Sequence, residues 1–290
     1  MKKILSPRGM MCASMVTFGT LGLFVRHIGL SSGALALCRA VLAAAVIGLF
    51  LLVSRKRLPA GALKAELPLL LLSGAALGIN WMLLFEAYRY TTVASATLSY
   101  YFAPVIVTLL CPLLFREKLT AKQIICFLTS TAGLVIITFA AEQDGDVAVR
   151  NDLVGILFGL GAAVFYATVI LLNKFIKGVE GLHRTLLQFL AAIVTLTPYV
   201  ALSSGVTLGG MDATGWACLL IVGLVHTGLA YVLYFPSIKE LPGQKAAILS
   251  YIDPLVAVIV SVLILREPMN AWQWVGGAMI LGATLWNEVK

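Results

Sequence analysis

Residues 100–120 read YYFAPVIVTLLCPLLFREKLT, and residues 250–270 read SYIDPLVAVIVSVLILREPMN. Laid over each other without a gap, the two stretches share Tyr101 with Tyr251, Pro104 with Pro254, Leu113 with Leu263, Arg116 with Arg266 and Glu117 with Glu267, and Gln123 and Gln273 follow just beyond. The chain says nearly the same thing twice, 150 residues apart. What the repetition means depends on the solvent in which it folds.

That solvent is lipid. Of 290 residues, 60% are hydrophobic and only 12% charged, far from the roughly 25% charged residues of a soluble domain. Hydrophobic runs long enough to cross a hydrocarbon core of about 30 Å as helices recur along the whole length. Ten are read: roughly 9–25, 33–54, 67–88, 92–115, 121–140, 153–173, 182–202, 214–235, 242–265 and 270–287. The N-terminal MKKILSPRGMMCASMVTFGTLGLF has the basic start and apolar stretch of a signal peptide. Pro7 and Arg8 interrupt it early, no small-residue cleavage site follows at once, and the later GILFGLGAAVFYATVILLNKF matches it. It is therefore read as the first span.

Cys12, Cys38, Cys111, Cys126 and Cys218 all fall inside spans, with no CxxC or metal-ligand spacing. They read as packing residues, and neither a metal nor a cofactor is expected. The net charge of +8 points to nucleic acid in a soluble protein, but here it has a topological cause. With a cytoplasmic N-terminus, sixteen of the 21 Lys and Arg residues fall on cytoplasmic loops and ends; Arg26, Arg89, Arg150 and Arg266 fall outside, and Arg39 lies within a span. This is a strong positive-inside bias. It predicts a multi-pass protein of the cell membrane with both termini cytoplasmic, basic loops facing anionic lipid head groups, and no nucleic-acid partner.

The polar connector AEQDGDVAVRND, residues 141–152, divides the chain into a first repeat at 1–140 and a second at 153–290, each of five spans. The stretch at 100–120 then belongs to the fourth span and that at 250–270 to the ninth. Because the offset is an odd number of spans, the copies cross the membrane in opposite directions. The expected fold is an all-α membrane protein of ten transmembrane helices in two inverted five-helix repeats. Such halves, related by a pseudo-two-fold axis in the membrane plane, can exchange inward-open and outward-open packings around a central site.

The stretches PVIVTLLCPLLFREKLTAKQIICFLTSTAGLVI and PLVAVIVSVLILREPMNAWQWVGGAMILGATL resemble the ends of the two EamA domains of the drug/metabolite transporter superfamily. Their pattern is a proline, an apolar helix, a glutamate at the turn, a glutamine shortly after and a final helix rich in small residues. The resemblance covers essentially the whole chain and implies a ten-helix carrier with both termini inside, often an exporter of metabolites. Glu117 and Glu267 match the family's turn glutamate, and Pro104 and Pro254 its proline. In the first copy Cys126 and Phe127 stand where the second has Gly276 and Gly277, which puts close helix packing there in question.

An ionised Asp at a helix centre costs about 2.5–3.5 kcal/mol on insertion scales. Asp253, mid-span before Pro254, must face a cavity or a partner. It is read as a counter-ion for a cationic group, a proton carrier, or half of a structural pair with Arg39. Its counterpart in the first repeat is Ala103, so this charge breaks the symmetry. Arg39 either lines the same site or snorkels to the interface on its long stem. His226 is read as a proton shuttle or substrate donor, or as a histidine satisfied by a neighbouring helix.

Pro104 and Pro254 are expected hinges, freeing the carbonyls of Tyr100 and Ser250. Trp81, Tyr100, Tyr101, Tyr231, Tyr234 and Tyr251 are aromatic candidates for stacking on a planar ligand or holding a cation over a ring; Asn80 is a polar one. Glu117 and Glu267 read as structural caps at tight turns, and Glu86 as a solvated rim residue.

The expected function is that of a secondary transporter, an exporter by alternating access, whose substrate is a small amino acid, nucleobase or organic cation. No Walker-type loop is present, so energy comes from a gradient, exchange or downhill flow, with the proton as one candidate coupling ion. An enzyme is not expected, since there is no HExxH, His-rich cluster or GxSxG. The alternatives are a membrane-embedded enzyme and a non-transporting sensor or scaffold; the sequence sets no oligomeric state.

Overall fold

The computed structural model describes residues 6–55, 60–115, 120–143, 151–179, 181–203, 205–241 and 249–288. They form ten helical segments. The first repeat contains α1 (Pro7–Gly19 running into Leu21–Val25), α2 (Ser32–Val53), α3 (Ala60–Tyr90), α4 (Val93–Tyr100, then Ala103–Phe115) and α5 (Ala121–Gln143). The second contains α6 (Asp152–Phe175), α7 (Gly181–Leu202), α8 (Ala213–Leu220, a π-helical Ile221–Leu229, then Ala230–Glu240), α9 (Ile252–Ile259, then a π-helical Val260–Ile264) and α10 (Ala271–Glu288). Seven of the segments are long and apolar enough to cross a membrane, and two shorter apolar ones lie at Ala121–Ile137 and Ile252–Ile264. Glu117 and the residues that precede Leu249 in the ninth span lie outside the described residues.

The helix starts follow from their side chains. Ser6, Ser31, Thr92, Asn151 and Asp212 each accept a backbone N–H from the residue three positions on, as N-caps do. The glutamine shared by both repeats has a specific task. Gln123 Oε1 accepts from Thr120 N at 2.8 Å while Thr120 Oγ1 accepts from Gln123 N at 3.2 Å. Gln273 and Asn270 repeat the exchange at 3.0 and 2.9 Å. These are reciprocal capping boxes, one opening the last helix of each repeat.

The packing is that of a two-fold object. Helix α3 packs on α6 as α8 packs on α1, α3 on α7 as α8 on α2, and α4 on α6 as α9 on α1. The pairs α2–α7 and α5–α10 are their own counterparts. Exchanging each helix for the one five places on preserves all of these contacts. An odd number of spans per repeat makes the two halves antiparallel.

Where α5 meets α10, a Cβ on Gly133 would lie 2.6 Å from Gly276 O, and one on Gly276 would lie 2.5 Å from Gly133 O. The question raised by Cys126 and Phe127 is thus answered against the expectation: the helices do pack closely. The first repeat supplies its small residue seven positions later, and Cys126 is simply buried. Large apolar side chains such as Leu49, Leu52, Val194, Leu263 and Trp272 point outward. On a soluble protein such a surface would be a liability; in lipid it is the expected exterior.

Candidate functional site

The two ends of the bundle are held differently. At the end where α3 starts and α6 gives way to α7, Glu66 accepts the backbone N–H groups of Lys177, Gly178 and Val179 at 2.8, 2.7 and 3.0 Å. At the opposite end the turn glutamate Glu267 is 6% exposed. It accepts Val93 N–H at 2.8 Å, takes the Ser261 hydroxyl and forms an ion pair with Arg26. Ser261 Oγ in turn accepts Ala94 N–H at 3.2 Å, and Thr92 accepts Ser95 N–H at 3.0 Å. The first three N–H groups of α4, which have no partners within the helix, are therefore capped by three side chains from both repeats.

Between these ends lies a cavity of about 110 Å³. Helix α3 contributes Leu77, Trp81, Leu84 and Tyr88, one stripe at helical spacing. Thr97, Tyr100 and Tyr101 come from α4, Phe18, Gly19 and Leu21 from α1, Tyr166 from α6, Tyr231 from α8, and Asp253 and Ala257 from α9. Arg39 completes the wall from α2.

The break in α4 at Tyr101–Phe102 lies beside the cavity. Around it the ladder changes to Phe102 N–H on Ser99 O at 3.2 Å and Val105 N–H on Phe102 O at 3.0 Å, with Pro104 at the start of the second half. Pro254 stands likewise in the first turn of Ile252–Ile259. Both prolines stand just after an interruption of their helix, at Tyr101–Phe102 and at Tyr251.

Two opposite charges share this space. Tyr101 Oη donates to Asp253 Oδ2 at 2.7 Å. Arg39, 4% exposed, donates from Nε to Thr227 Oγ1, and its guanidinium carbon lies 4.3 Å above the Trp81 ring centroid and 5.5 Å from that of Phe85. The structural pairing of Arg39 with Asp253 is not found: among the described residues no ion pair joins them. Nor does Arg39 snorkel. Around them the rings interlock, Tyr100 with Tyr166 at 5.2 Å between centroids, Tyr231 with Phe18 at 5.3 Å and with Phe189 at 5.6 Å.

Of the sequence candidates, Asp253, Arg39, Trp81, Tyr100, Tyr101 and Tyr231 meet in the cavity. His226, Asn80 and Tyr251 are not in its wall. Asn80 Nδ2 donates to Ala162 O at 2.7 Å, a tie between α3 and α6. His226 lies 3.0 Å through Nε2 from Thr20 Oγ1, whose own hydroxyl donates to Thr17 O at 2.9 Å. Nδ1 lies 3.4 Å from Ile221 O, so each ring nitrogen faces a protein oxygen. His226 is satisfied by a neighbouring helix. Glu86 accepts from Ser32 Oγ and pairs with Arg89 at 3.4 Å.

Tyr88, Tyr166 and Thr97 are lining residues that the sequence reading missed. Tyr88 was signalled by its spacing of seven from Trp81.

The cavity adjoins a vestibule of about 880 Å³ at the Glu66 end, the two sharing Leu77, Tyr166 and Tyr231 as walls. That vestibule carries Lys174, Lys177, His183 and Arg184 against Glu240, with Tyr234 on its wall. Toward the Glu267 end a depression of about 550 Å³ meets the cavity only at Tyr88.

In the cavity wall Gly19 is packed tightly: a Cβ there would lie 2.5 Å from Asp253 O and 2.7 Å from Val256 Cβ. Gly19→Val is therefore expected to push α9 off α1 and displace Asp253. The expected result is loss of ligand binding in the purified protein by at least about tenfold, with a lower melting temperature from the overpacking. Undiminished binding would show that Asp253 does not depend on this contact.

Ten helices in two exchanged halves, with an acidic and a basic side chain lining one cavity between them, describe a membrane transporter. Comparison with known proteins agrees: residues 8–139 and 153–287 each match the EamA-like transporter family, and the chain belongs to that family. It is 30% identical to the uncharacterized transporter YxxF of Bacillus subtilis (strain 168) over 97% of this chain and 88% of that one. It is 25% identical to the uncharacterized transporter YetK of the same organism over 90% and 78% of the two chains, and 31% identical to an uncharacterized transporter of Archaeoglobus fulgidus over 70% of each. A crystal structure with 16% identity superposes with a TM-score of 0.66 over 97% of this chain and 96% of that one, a likeness of fold.

Proposed function

We propose that the protein is a secondary transporter that carries small organic zwitterions, amino acids above all, across the cell membrane by alternating access, and that it works as an exporter. The observation that carries this reading is the unpaired juxtaposition of Asp253 and Arg39 in one ring-lined cavity. An ammonium group answers the first, a carboxylate the second, and an apolar side chain answers the rings. A plain organic cation would leave the buried guanidinium unanswered, and a neutral nucleobase would leave both charges so, at a cost of desolvation.

The basic vestibule supports a cytoplasmic assignment for its end, in line with the positive-inside bias, so the site would be loaded from inside. The lining suits first capture of a carboxylate from the cytoplasm. The clamped Glu267 end would then face out, and exchange of the two repeats' packing would release the substrate there.

A thermal-shift screen of purified protein against amino acids, nucleobases and organic cations tests this. A true ligand stabilises by RT ln(1 + [L]/Kd), about 2.7 kcal/mol at a hundredfold excess over Kd. Amino acids are expected to raise the midpoint. A shift with cations or nucleobases alone would replace the zwitterion reading by theirs, and no shift with any class, together with no flux in proteoliposomes, would favour a sensor or scaffold.

A further inference from the structure

The middle of α8 is π-helical from Ile221 to Leu229, and π segments occur often at functional sites. Its position against α2 suggests why it is there. Gly223 and Gly228 both face α2: a Cβ at the first would lie 2.4 Å from Leu42 Cδ1, and one at the second 2.8 Å from Val46 Cβ. In an α-helix of 3.6 residues per turn, positions five apart are about 140° from each other around the axis. The wider π turn brings them onto one side. Leu42 and Val46 stand three and seven residues beyond Arg39, on the same face of α2, so the stripe that receives the two glycines also carries Arg39.

Thr227 lies between those glycines. Its hydroxyl has one proton, which goes to Val222 O five residues back at 3.0 Å. A lone pair remains, and Arg39 Nε donates to it. The guanidinium is thus gripped at the Nε edge by Thr227 and covered on one face by Trp81. Arg39 lines the cavity whereas Thr227 does not. None of the guanidinium nitrogens of Arg39 is among the buried polar atoms that lack a partner. The Nη edge, opposite the grip, is the one left to the cavity.

We propose that Thr227, through the π turn, is a positioning residue that fixes Arg39 as a planar two-pronged receptor for the substrate carboxylate. Arginine presents parallel donors to a carboxylate only while its plane is held. Thr227 holds that plane without touching the ligand. The inference rests on the zwitterion reading of the site and adds to it how the carboxylate end is selected.

The test uses two matched probe pairs that differ only by the carboxylate, leucine against 3-methylbutylamine and phenylalanine against phenethylamine, with Kd measured on detergent-purified full-length protein. The unmodified protein is expected to prefer the amino acid of at least one pair by about tenfold or more. Thr227→Val removes the acceptor at nearly constant volume and is expected to bring that ratio close to one while leaving amine binding within about twofold, a pattern that general loss of packing does not produce. Thr227→Ser keeps the hydroxyl and is expected to keep the ratio. Thr227→Ala removes the same hydroxyl without a β-branch against α2 and serves where the Val variant is not monodisperse.

A ratio unchanged in Thr227→Val or Thr227→Ala, or a fall in amine and amino acid alike, overturns the positioning role while leaving the zwitterion site standing. A lack of preference in the unmodified protein overturns the zwitterion reading itself, and the role of Thr227 with it.

Discussion

Asp253→Asn is expected to lower amino acid transport in proteoliposomes by about ten- to a hundredfold while leaving the protein folded. The substitution keeps the side chain's size and an oxygen for Tyr101 Oη, which now donates to Asp253 at 2.7 Å. It removes the one carboxylate in the cavity wall. A hydrogen bond to a charged group contributes about 1.5–3 kcal/mol, and each 1.4 kcal/mol is tenfold in affinity. Selectivity should change along with rate. The carboxylic acid that lacks the amino group never used Asp253, so its binding relative to the amino acid should rise. Flux of every amino acid tested at the unmodified rate would remove Asp253 from the substrate site.

The membrane makes some of this architecture easy to read and some of it hard. The number of helices follows from hydropathy, because every backbone polar group at membrane depth must be satisfied within a helix. The repeated glutamine was visible and is explained by the capping boxes of Gln123 and Gln273. The third span was read as 67–88 and its helix runs over Ala60–Tyr90. Lys64 and Glu66 are charged, yet the helix continues through them, and Glu66 caps the turn at 177–179.

Azimuth was harder. Asn80 and Trp81 are neighbours in sequence but about 100° apart around the helix. One turns to Ala162 O and the other to the cavity. His226 and Thr227 divide in the same way between Thr20 and Arg39. Whether a buried polar side chain meets a cavity or a helix depends on what lies opposite, which a local pattern does not contain. The π segments were likewise out of reach: their composition is that of any apolar helix, and only for the one in α8 do glycine contacts across to α2 mark it.

Glu267→Ala is expected to open the far end. Its carboxylate accepts Val93 N–H, takes the Ser261 hydroxyl and pairs with Arg26, which itself donates to Thr91 O at 2.9 Å. The pair joins the end of α1, the turn between α3 and α4 and the turn between α9 and α10, so it ties one repeat to the other. With only 4% of the Glu267 side chain exposed, removing it leaves the first N–H of α4 uncapped and strips Arg26 of this carboxylate. Breaking a fully buried pair from one side costs about 3–5 kcal/mol, and with the Arg26 side chain 23% exposed the lower end of that range, about 3 kcal/mol, is the upper bound here.

If alternating access holds, a conformation open at this end does not contain the tie and loses nothing. The whole cost then falls on the clamped state, and a bias of at most about 3 kcal/mol is a shift of up to about a hundredfold in population. Thr97, in the cavity wall, can report it as Thr97→Cys in a background with the five native cysteines replaced. A membrane-impermeant maleimide added from the side of the Glu267 turn should label that cysteine far faster in Glu267→Ala, and the melting temperature should fall. Glu267→Gln, which keeps an acceptor for Val93 N–H but no charge for Arg26, should lie between. A lower melting temperature without faster labelling would make Glu267 a cap of α4 and nothing more; faster labelling in the order Ala, Gln, unmodified would make the family's turn glutamate the latch of this end of the carrier.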